Sequence, residues 1–120
     1  MRVDWHKYHA LKNDFLVIES SKEGSRRWCS RLSKAICDRH TGVGADGILV
    51  VRKSRSVTRV DVYNADGSWA EMSGNGARIT AFHALNQGNR AMTSLIMGGR
   101  SVPVNHRHCR RRRVSHSWIF

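Results

Sequence analysis

The chain has 120 residues, of which 40% are hydrophobic and 25% charged, a composition typical of one small globular domain. Its net charge of +12 is unusual. All nine acidic residues lie at or before Glu71, so residues 72–120 carry only positive charge, much of it in a run of arginines near the end. Such a run is typical either of a solvated tail or of a phosphate-binding or nucleic-acid-binding segment. No aromatic side chain is interleaved with the arginines, which disfavours nucleic-acid binding.

Membrane insertion and secretion are both disfavoured by the pattern of the chain. No apolar run approaches the roughly 20 residues that a membrane-spanning helix needs, and charged residues interrupt the first ten positions where a secretory signal would lie. Cys29, Cys37 and Cys109 lack the spacing of a zinc or redox motif. We therefore expect a cytoplasmic protein without a metal site, in which Cys29 and Cys37 are small, partly buried hydrophobic residues.

The predicted secondary structure has the order β-α-β-β-α-β, which indicates an α+β domain. Ser25 is a predicted helix cap, and Gly88 is a predicted helix stop. In chain order, the predicted elements are a strand at 14–19, a helix at 26–38, a hairpin of strands at 48–52 and 57–63, a helix at 76–87 and a strand at 92–97. We expect residues 1–104 to form this domain and residues 105–120 to be a basic, disordered tail.

The most informative segment runs from Asn64 to Arg78, with the sequence NADGSWAEMSGNGAR. It predicts a tight turn followed by a glycine-bracketed entry into a helix. Backbone N–H groups at a helix start lack intrahelical partners and carry the positive end of the helix dipole. Residues 73–76 (SGNG) therefore suggest a small anion site for a carboxylate or phosphate, and the alternative is a plain turn before a helix.

This segment closely resembles the signature of diaminopimelate epimerases. Two other segments resemble the same family in the same order: KYHALKNDF at residues 7–15 and CDRHTGVGADG at residues 37–47. The resemblance implies one lobe of a two-lobed α+β fold, with a mixed β-sheet wrapped on a central helix and the active site between the lobes. It also implies an isomerase of lysine biosynthesis that interconverts LL- and meso-diaminopimelate with no pyridoxal phosphate, metal or other cofactor.

The resemblance also assigns roles to residues. Asn13 and Asn64 would bind the substrate through their side chains, whereas Gly74 and Asn75 would bind its carboxylate through their backbone N–H groups. Position 73 would hold the catalytic base, which in the family is the first of two opposed cysteines. Here that position is Ser73, whose hydroxyl has no thiolate-like form near neutral pH and needs a neighbour to accept its proton. His9, His40 and His83 are the candidates for that neighbour.

Two further departures shape the functional prediction. Ala10 and Lys12 stand where the family usually has glycines, so a positive φ at either position would strain the turn before Asn13. The family's second half, with its second cysteine, has no counterpart in these residues, so we expect a truncated protein that is weakly active or inactive alone and that self-associates through an uncovered face. The alternatives are a non-catalytic amino-acid-binding lobe, one part of a split enzyme or, less favoured, a nucleic-acid-binding protein. The related substrates of proline racemases also stay open.

Overall fold

A computed structural model describes residues 2–20, 25–54, 57–88, 94–104 and 113–119 of the chain. These residues form one eight-stranded mixed sheet and two helices. The helices are α1 (Arg26–Cys37) and α2 (Gly74–Asn86). The strands are β1 (Arg2–Ala10), β2 (Asn13–Glu19), β3 (Gly47–Lys53), β4 (Val57–Asn64), β5 (Trp69–Ala70), β6 (Ser94–Met97), β7 (Arg100–Pro103) and β8 (Arg113–Ile119).

The strand order across the sheet is β7-β6-β4-β3-β2-β1-β8, and β5 pairs with the end of β4. Only β2 with β3 and β4 with β6 are parallel pairs. Each parallel pair is joined through a helix, α1 for the first and α2 for the second. Both crossover connections are expected to be right-handed. Because the strands of the two parallel pairs run in opposite directions, the two helices then lie on opposite faces of the sheet.

Each face of the sheet accordingly has its own apolar core. Helix α1 is amphipathic and buries Leu32 and Ile36 against one face, together with Ile48 and Val50 of β3. Helix α2 packs on the other face, where Leu49 of β3 and neighbouring strands meet it. Its buried residues lie around most of its circumference, as expected for a helix that the sheet wraps: Gly76, Ala77, Ile79, Thr80, Ala81, His83 and Ala84.

The predicted α+β class and mixed sheet are confirmed, and all six predicted elements are present with ends shifted by a few residues. Strands β1, β5, β7 and β8 were not predicted. In β1 the buried side chains change face along the strand, because Val3 and Trp5 belong to the α1 core whereas Tyr8 and Ala10 belong to the α2 core. Because of this change, the strand lacks the continuous alternation of apolar and polar residues by which a half-buried strand is recognised in a sequence.

The segment predicted to be a basic tail, residues 105–120, includes a strand. Residues 113–119 form β8, which lies antiparallel to β1 with Lys7 opposite Val114 and Val3 opposite Trp118. The pairing supplies partners for the backbone groups at the open edge of β1, which a single strand cannot satisfy alone. Residues 105–112, including Cys109 and most of the arginine run, lie outside the described residues.

No helix in the described ranges is long and apolar enough to cross a membrane. The same residues contain no group of three or more His, Cys, Asp or Glu side chains that could hold a metal ion.

Candidate functional site at the start of helix α2

Helix α2 begins at Gly74, two residues earlier than the sequence predicts, and Gly74 and Gly76 both lie in its first turn. Ser73 is the N-cap in an extended conformation, and its Oγ accepts a hydrogen bond from the Gly76 N–H at 2.9 Å. The Ser73 carbonyl accepts from Ala77 N–H at 2.9 Å, which starts the helical ladder. A Cβ at Gly76 would lie 2.9 Å from Leu49 Cδ2, so glycine lets the first turn settle directly on the sheet.

The first-turn N–H groups of Gly74 and Asn75 have no hydrogen-bond partner among the described residues, and a Cβ added at Gly74 would meet nothing within 4 Å. Both amides point along the N-terminal end of the helix, where the dipole is positive. The side chain of Asn75 is held aside, since its Oδ1 accepts from Arg78 Nη1 at 3.1 Å. Two unpaired N–H donors beside open space, at the positive N-terminal end of a helix dipole, form an arrangement that suits a carboxylate.

Asn13 and Asn64 lie at the ends of the β2 and β4 strands that are nearest the start of α2. In the sheet, Gly47 pairs with Phe15 on one side and with Asn64 on the other. Asn64 shares the face of Val60 and Val62, and Asn13 shares that of Phe15; these side chains belong to the α2 core. The first turn of α2 covers Leu49, which lies two residues beyond Gly47 on the same face of β3. Both asparagines therefore lie on the face of the sheet that α2 covers, at the strand ends where α2 begins.

The turn after β4 fixes the backbone and side chain of Asn64. Its N–H donates to the Ser68 carbonyl at 2.8 Å, and its Nδ2 donates to Ser68 Oγ at 3.0 Å. Ser33 Oγ on α1 donates to the Asn64 carbonyl at 2.6 Å. Gly67 closes the turn at φ +88°, packed so tightly on α1 that a Cβ would lie 2.7 Å from Ser30 Oγ. The Asn64 side chain is therefore oriented before any ligand arrives, with its Oδ1 left to accept.

The turn before Asn13 carries the strain that the missing glycines predict. Ala10 pairs directly with Asn13, so Leu11 and Lys12 form a two-residue hairpin loop with φ of 49° and 70°. Positive φ at both central positions is the geometry of a type I′ turn, which favours Asn-Gly. The strain falls on Leu11 and Lys12, whereas Ala10 lies in regular strand and is buried. The turn keeps its register despite these residues, so Asn13 starts β2 in place.

A charged network beside the site was not predicted from the sequence. Asp14 is 5% exposed and accepts from both terminal nitrogens of Arg39, at 2.9 and 3.2 Å, and its Oδ2 lies 3.3 Å from Lys7 Nζ. The Asp14 and Asp46 backbone N–H groups each donate to the other residue's carboxylate, at 3.0 and 2.9 Å. Burial alone would raise the pKa of Asp14, but the Arg39 and Asp46 hydrogen bonds hold it well below its usual range.

This network ties the loop over residues 38–46 to the start of β2, and so fixes the strand ends that carry Asn13 and Gly47. Its sequence signal lies in the motif at residues 37–47, which places Arg39 and Asp46 beside turn-forming glycines, and in the motif at residues 7–15, which supplies Asp14. Pairing them required knowing that β2 and β3 are adjacent and parallel, which no local pattern reveals.

None of the three candidate histidines is a hydrogen-bond partner of Ser73 in the described residues. The hydrogen bonds made by Ser73 go to Gly76, Ala77 and the Met97 sulfur. His83 lies ten residues along α2, about 15 Å from the cap at 1.5 Å per residue, and it is fully buried. His9 is exposed on β1, and His40 is exposed in the turn after α1. The described structure thus gives Ser73 no neighbouring base.

The two cysteines within the described residues behave as buried apolar side chains. Cys29 and Cys37 are free thiols, 0% and 2% exposed, in the α1 core. Burial raises the pKa of Cys37 to about 11, and burial also raises the pKa of Cys29. Neither thiol is a nucleophile at neutral pH, as the sequence interpretation expects.

Comparison with known proteins places this arrangement in a family. The family model described as "Diaminopimelate epimerase" matches residues 5–110. The chain belongs to the diaminopimelate epimerase family. The diaminopimelate epimerase of Caldanaerobacter subterraneus subsp. tengcongensis is 44% identical over 101 residues, which cover 81% of this chain and 36% of that protein. That of Nitratiruptor sp. is 42% identical over 96 residues, covering 78% and 37% respectively.

This member of the diaminopimelate epimerase family therefore spans about a third of the length of the curated relatives it matches. Among solved structures, a phenazine biosynthesis protein of the PhzF family from Enterococcus faecalis superposes with a TM-score of 0.73. The match covers 90% of this chain and 42% of that one at 11% sequence identity. At that identity the likeness concerns the fold alone.

Proposed function

We propose that this chain is the substrate-binding lobe of a cofactor-independent amino-acid epimerase acting on diaminopimelate or a close analogue. The observation that carries the proposal is the start of α2, where the unpaired N–H groups of Gly74 and Asn75 border open space on the face that Asn13 and Asn64 share. Two backbone donors at a helix N-terminus suit the α-carboxylate of an amino acid. The side-chain oxygens of the two asparagines suit its ammonium group.

The same geometry suits the charge that develops during epimerisation. Removing a Cα proton leaves negative charge on Cα that is delocalised onto the carboxylate oxygens, so donors aimed at those oxygens before the reaction stabilise the transition state. A base must also contact the proton on one face of Cα, and a second group must deliver a proton to the other face. Position 73, next to the two donors, is the place in this lobe for one of those two groups.

We propose that Ser73 binds substrate well and removes its proton poorly. Its Oγ already accepts the Gly76 N–H, and none of the described histidines is placed to take its proton. A cysteine there would have an ordinary pKa near 8.5, lowered by the helix N-terminus. The pKa of a serine hydroxyl lies far above that range. The helix N-terminus therefore does not lower it enough to give a significant amount of alkoxide at neutral pH.

A second group for proton delivery, and a cover for the open side of the site, would come from another lobe. The matched relatives are about three times as long as the matched segment of this chain, which supports a two-lobed whole. We propose that this lobe works beside a second lobe or a second copy of itself in the cytoplasm. Without a second lobe to cover that open side, it would self-associate, which light scattering over a concentration series measures directly; a well-behaved monomer at all concentrations would contradict this.

Binding is tested by calorimetric titration of the full chain with meso-diaminopimelate. We expect saturable binding that Asn64→Ala weakens by about tenfold, since an oriented side-chain hydrogen bond to a charged group is lost. The control is Gln87→Ala, which removes an exposed amide at the opposite end of α2. Equal affinities for the two variants, or no saturable binding by the wild type, would refute the binding assignment.

Chemistry is tested separately by deuterium uptake at the substrate Cα in D₂O. We expect no uptake with the wild type and measurable uptake with Ser73→Cys, because the thiol alone can ionise near neutral pH at this helix start. Uptake by the wild type would show that Ser73 is a working base. Binding without uptake in either protein would favour the alternative function, a non-catalytic amino-acid-binding lobe.

A further inference from the structure

The face of the sheet that carries α1 is only partly covered. Helix α1 packs over β3 and β4, and beyond it toward β6 the same face holds an open cleft of about 700 Å³. The residues that matter in its lining are Arg26, Arg52, Arg59, Asp61, Trp69 and the Gly98–Gly99 turn. The cleft lies across the sheet from the start of α2, so it is separate from the proposed amino-acid site.

Positive charge dominates the cleft. Arg52 on β3 and Arg59 on β4 are directly paired in the antiparallel register, so two like charges face each other on one side of the sheet. Direct opposition of like charges destabilises a strand pair unless a counter-charge lies between them. Asp61 compensates Arg52 alone, with Oδ2 2.5 Å from Arg52 Nη1. Arg59 has no ion pair or hydrogen bond within the described ranges, so the lining keeps two positive charges in excess.

Arg26 is held in place as the third cation. It is the first residue of α1, and its guanidinium lies 4.7 Å from the centre of the Trp69 ring. A cation over a tryptophan face loses rotational freedom without losing charge, so its N–H groups stay available to an acceptor at the ring edge. The start of α1 adds the positive end of a helix dipole on the same side.

We propose that this cleft is a binding site for a small phosphate-bearing ligand, with Arg59, Arg26 and Arg52 as its anchors. Guanidinium groups present paired donors that match the oxygens of a phosphate. The two uncompensated charges match a multiply charged anion better than a single carboxylate, and the volume fits a molecule of metabolite size. Occupancy would also relieve the opposition of Arg52 and Arg59.

The test uses pyrophosphate as the probe in calorimetric titrations of the full chain at low ionic strength. We expect one saturable site that Arg59→Gln weakens by about tenfold or more, as the loss of a charge-assisted contact implies. Arg31→Gln is the matched control, because it removes the same charge from an exposed position of α1 outside the cleft. Circular dichroism of both variants verifies that the fold is retained.

Three results would overturn the proposal: no saturable binding to the wild type, equal weakening in the two variants, or an unchanged affinity in Arg59→Gln. Equal weakening would mean that pyrophosphate responds only to total charge. An unchanged affinity would mean that it binds elsewhere, with the arginines at residues 107–113 as the first place to look. Since the amino-acid site is on the other face, diaminopimelate affinity should be the same in both variants, so this proposal can fail without the proposed function failing.

Discussion

His83 makes the stability of this lobe depend on pH in a defined window. It is fully buried on α2, its Nε2 lies 2.7 Å from Glu19 Oε1, and its Nδ1 lies 2.6 Å from the Tyr8 hydroxyl. Glu19 can only accept when ionised, so the neutral ring donates through Nε2 and accepts the Tyr8 O–H through Nδ1. The ring of His6 lies 4.8 Å away on the same side. The neutral form therefore satisfies both ring nitrogens.

Burial lowers the pKa of His83 to about 4 from its ordinary value of 6.5, and the ion pair with Glu19 opposes this effect without overcoming it. Between these two pH values the unfolded chain binds a proton that the folded chain does not. The contribution of neutral His83 to stability is thus complete above pH 6.5 and is lost as the pH falls toward 4. At about 1.4 kcal/mol per pH unit, the loss reaches about 2 kcal/mol at pH 5 and about 3 kcal/mol at pH 4.

The perturbation that isolates this effect is His83→Gln, which keeps a side-chain donor and acceptor but does not titrate. We expect urea unfolding to show a wild-type stability advantage at pH 7 that shrinks by about 2 kcal/mol at pH 5. Every other side chain is the same in the two proteins, so the remaining contributions cancel in the difference. A difference between the proteins that stays constant from pH 7 to pH 5 would show that His83 is not buried in its neutral form.

Substitutions at three further residues test the elements that position the candidate site, each by urea unfolding at pH 7. Lys12→Gly should stabilise the protein by about 1 kcal/mol, because glycine adopts the φ of +70° without steric cost; no gain would mean that the turn is already relaxed. Ser73→Ala should cost about 1 kcal/mol by removing the cap on the Gly76 N–H, and Ser73→Asp should cost less; equal losses would contradict the capping role. Asp14→Asn should cost about 2 kcal/mol through the weakened Arg39 pairing, and a neutral outcome would mean that the network does not hold the loop.

Features built from neighbouring residues were predictable from the sequence. The turn from Asn64 to Gly67, the capped start of α2, the helix α1 behind Ser25 and the hairpin of β3 and β4 each depend on side chains within a few positions of one another. Local hydrogen bonds and steric preferences determine such structures, so the residue pattern carries enough information to place them. The strain at Lys12 was predicted in a different way, from the resemblance to a family that usually has glycine there, on the condition of a positive φ.

The Asp14, Arg39 and Asp46 network and the Tyr8, His83 and Glu19 chain could not be predicted in this way. Most of their hydrogen bonds join distant parts of the sequence: Arg39 and Asp14 are 25 positions apart, and Tyr8 and His83 are 75 positions apart. They meet because β1, β2 and β3 are neighbours in the sheet and α2 crosses them. The position of α2 across these strands decides which histidine is buried and therefore has a lowered pKa. No property of the histidine residue itself decides this.

The sequence alone determined the chemistry offered by this protein: a glycine-framed helix start with two free backbone donors, and a serine where the family has a thiol. Those properties reside in covalent structure and short-range backbone preference, so they exist before the chain folds. Only the tertiary structure decided that the two asparagines lie on the face of the sheet where that helix starts, that none of the described histidines is hydrogen-bonded to Ser73, and that three arginines line one cleft. Such relations depend on strand order and on which face each helix covers, and these are fixed by burying apolar surface from the whole chain at once.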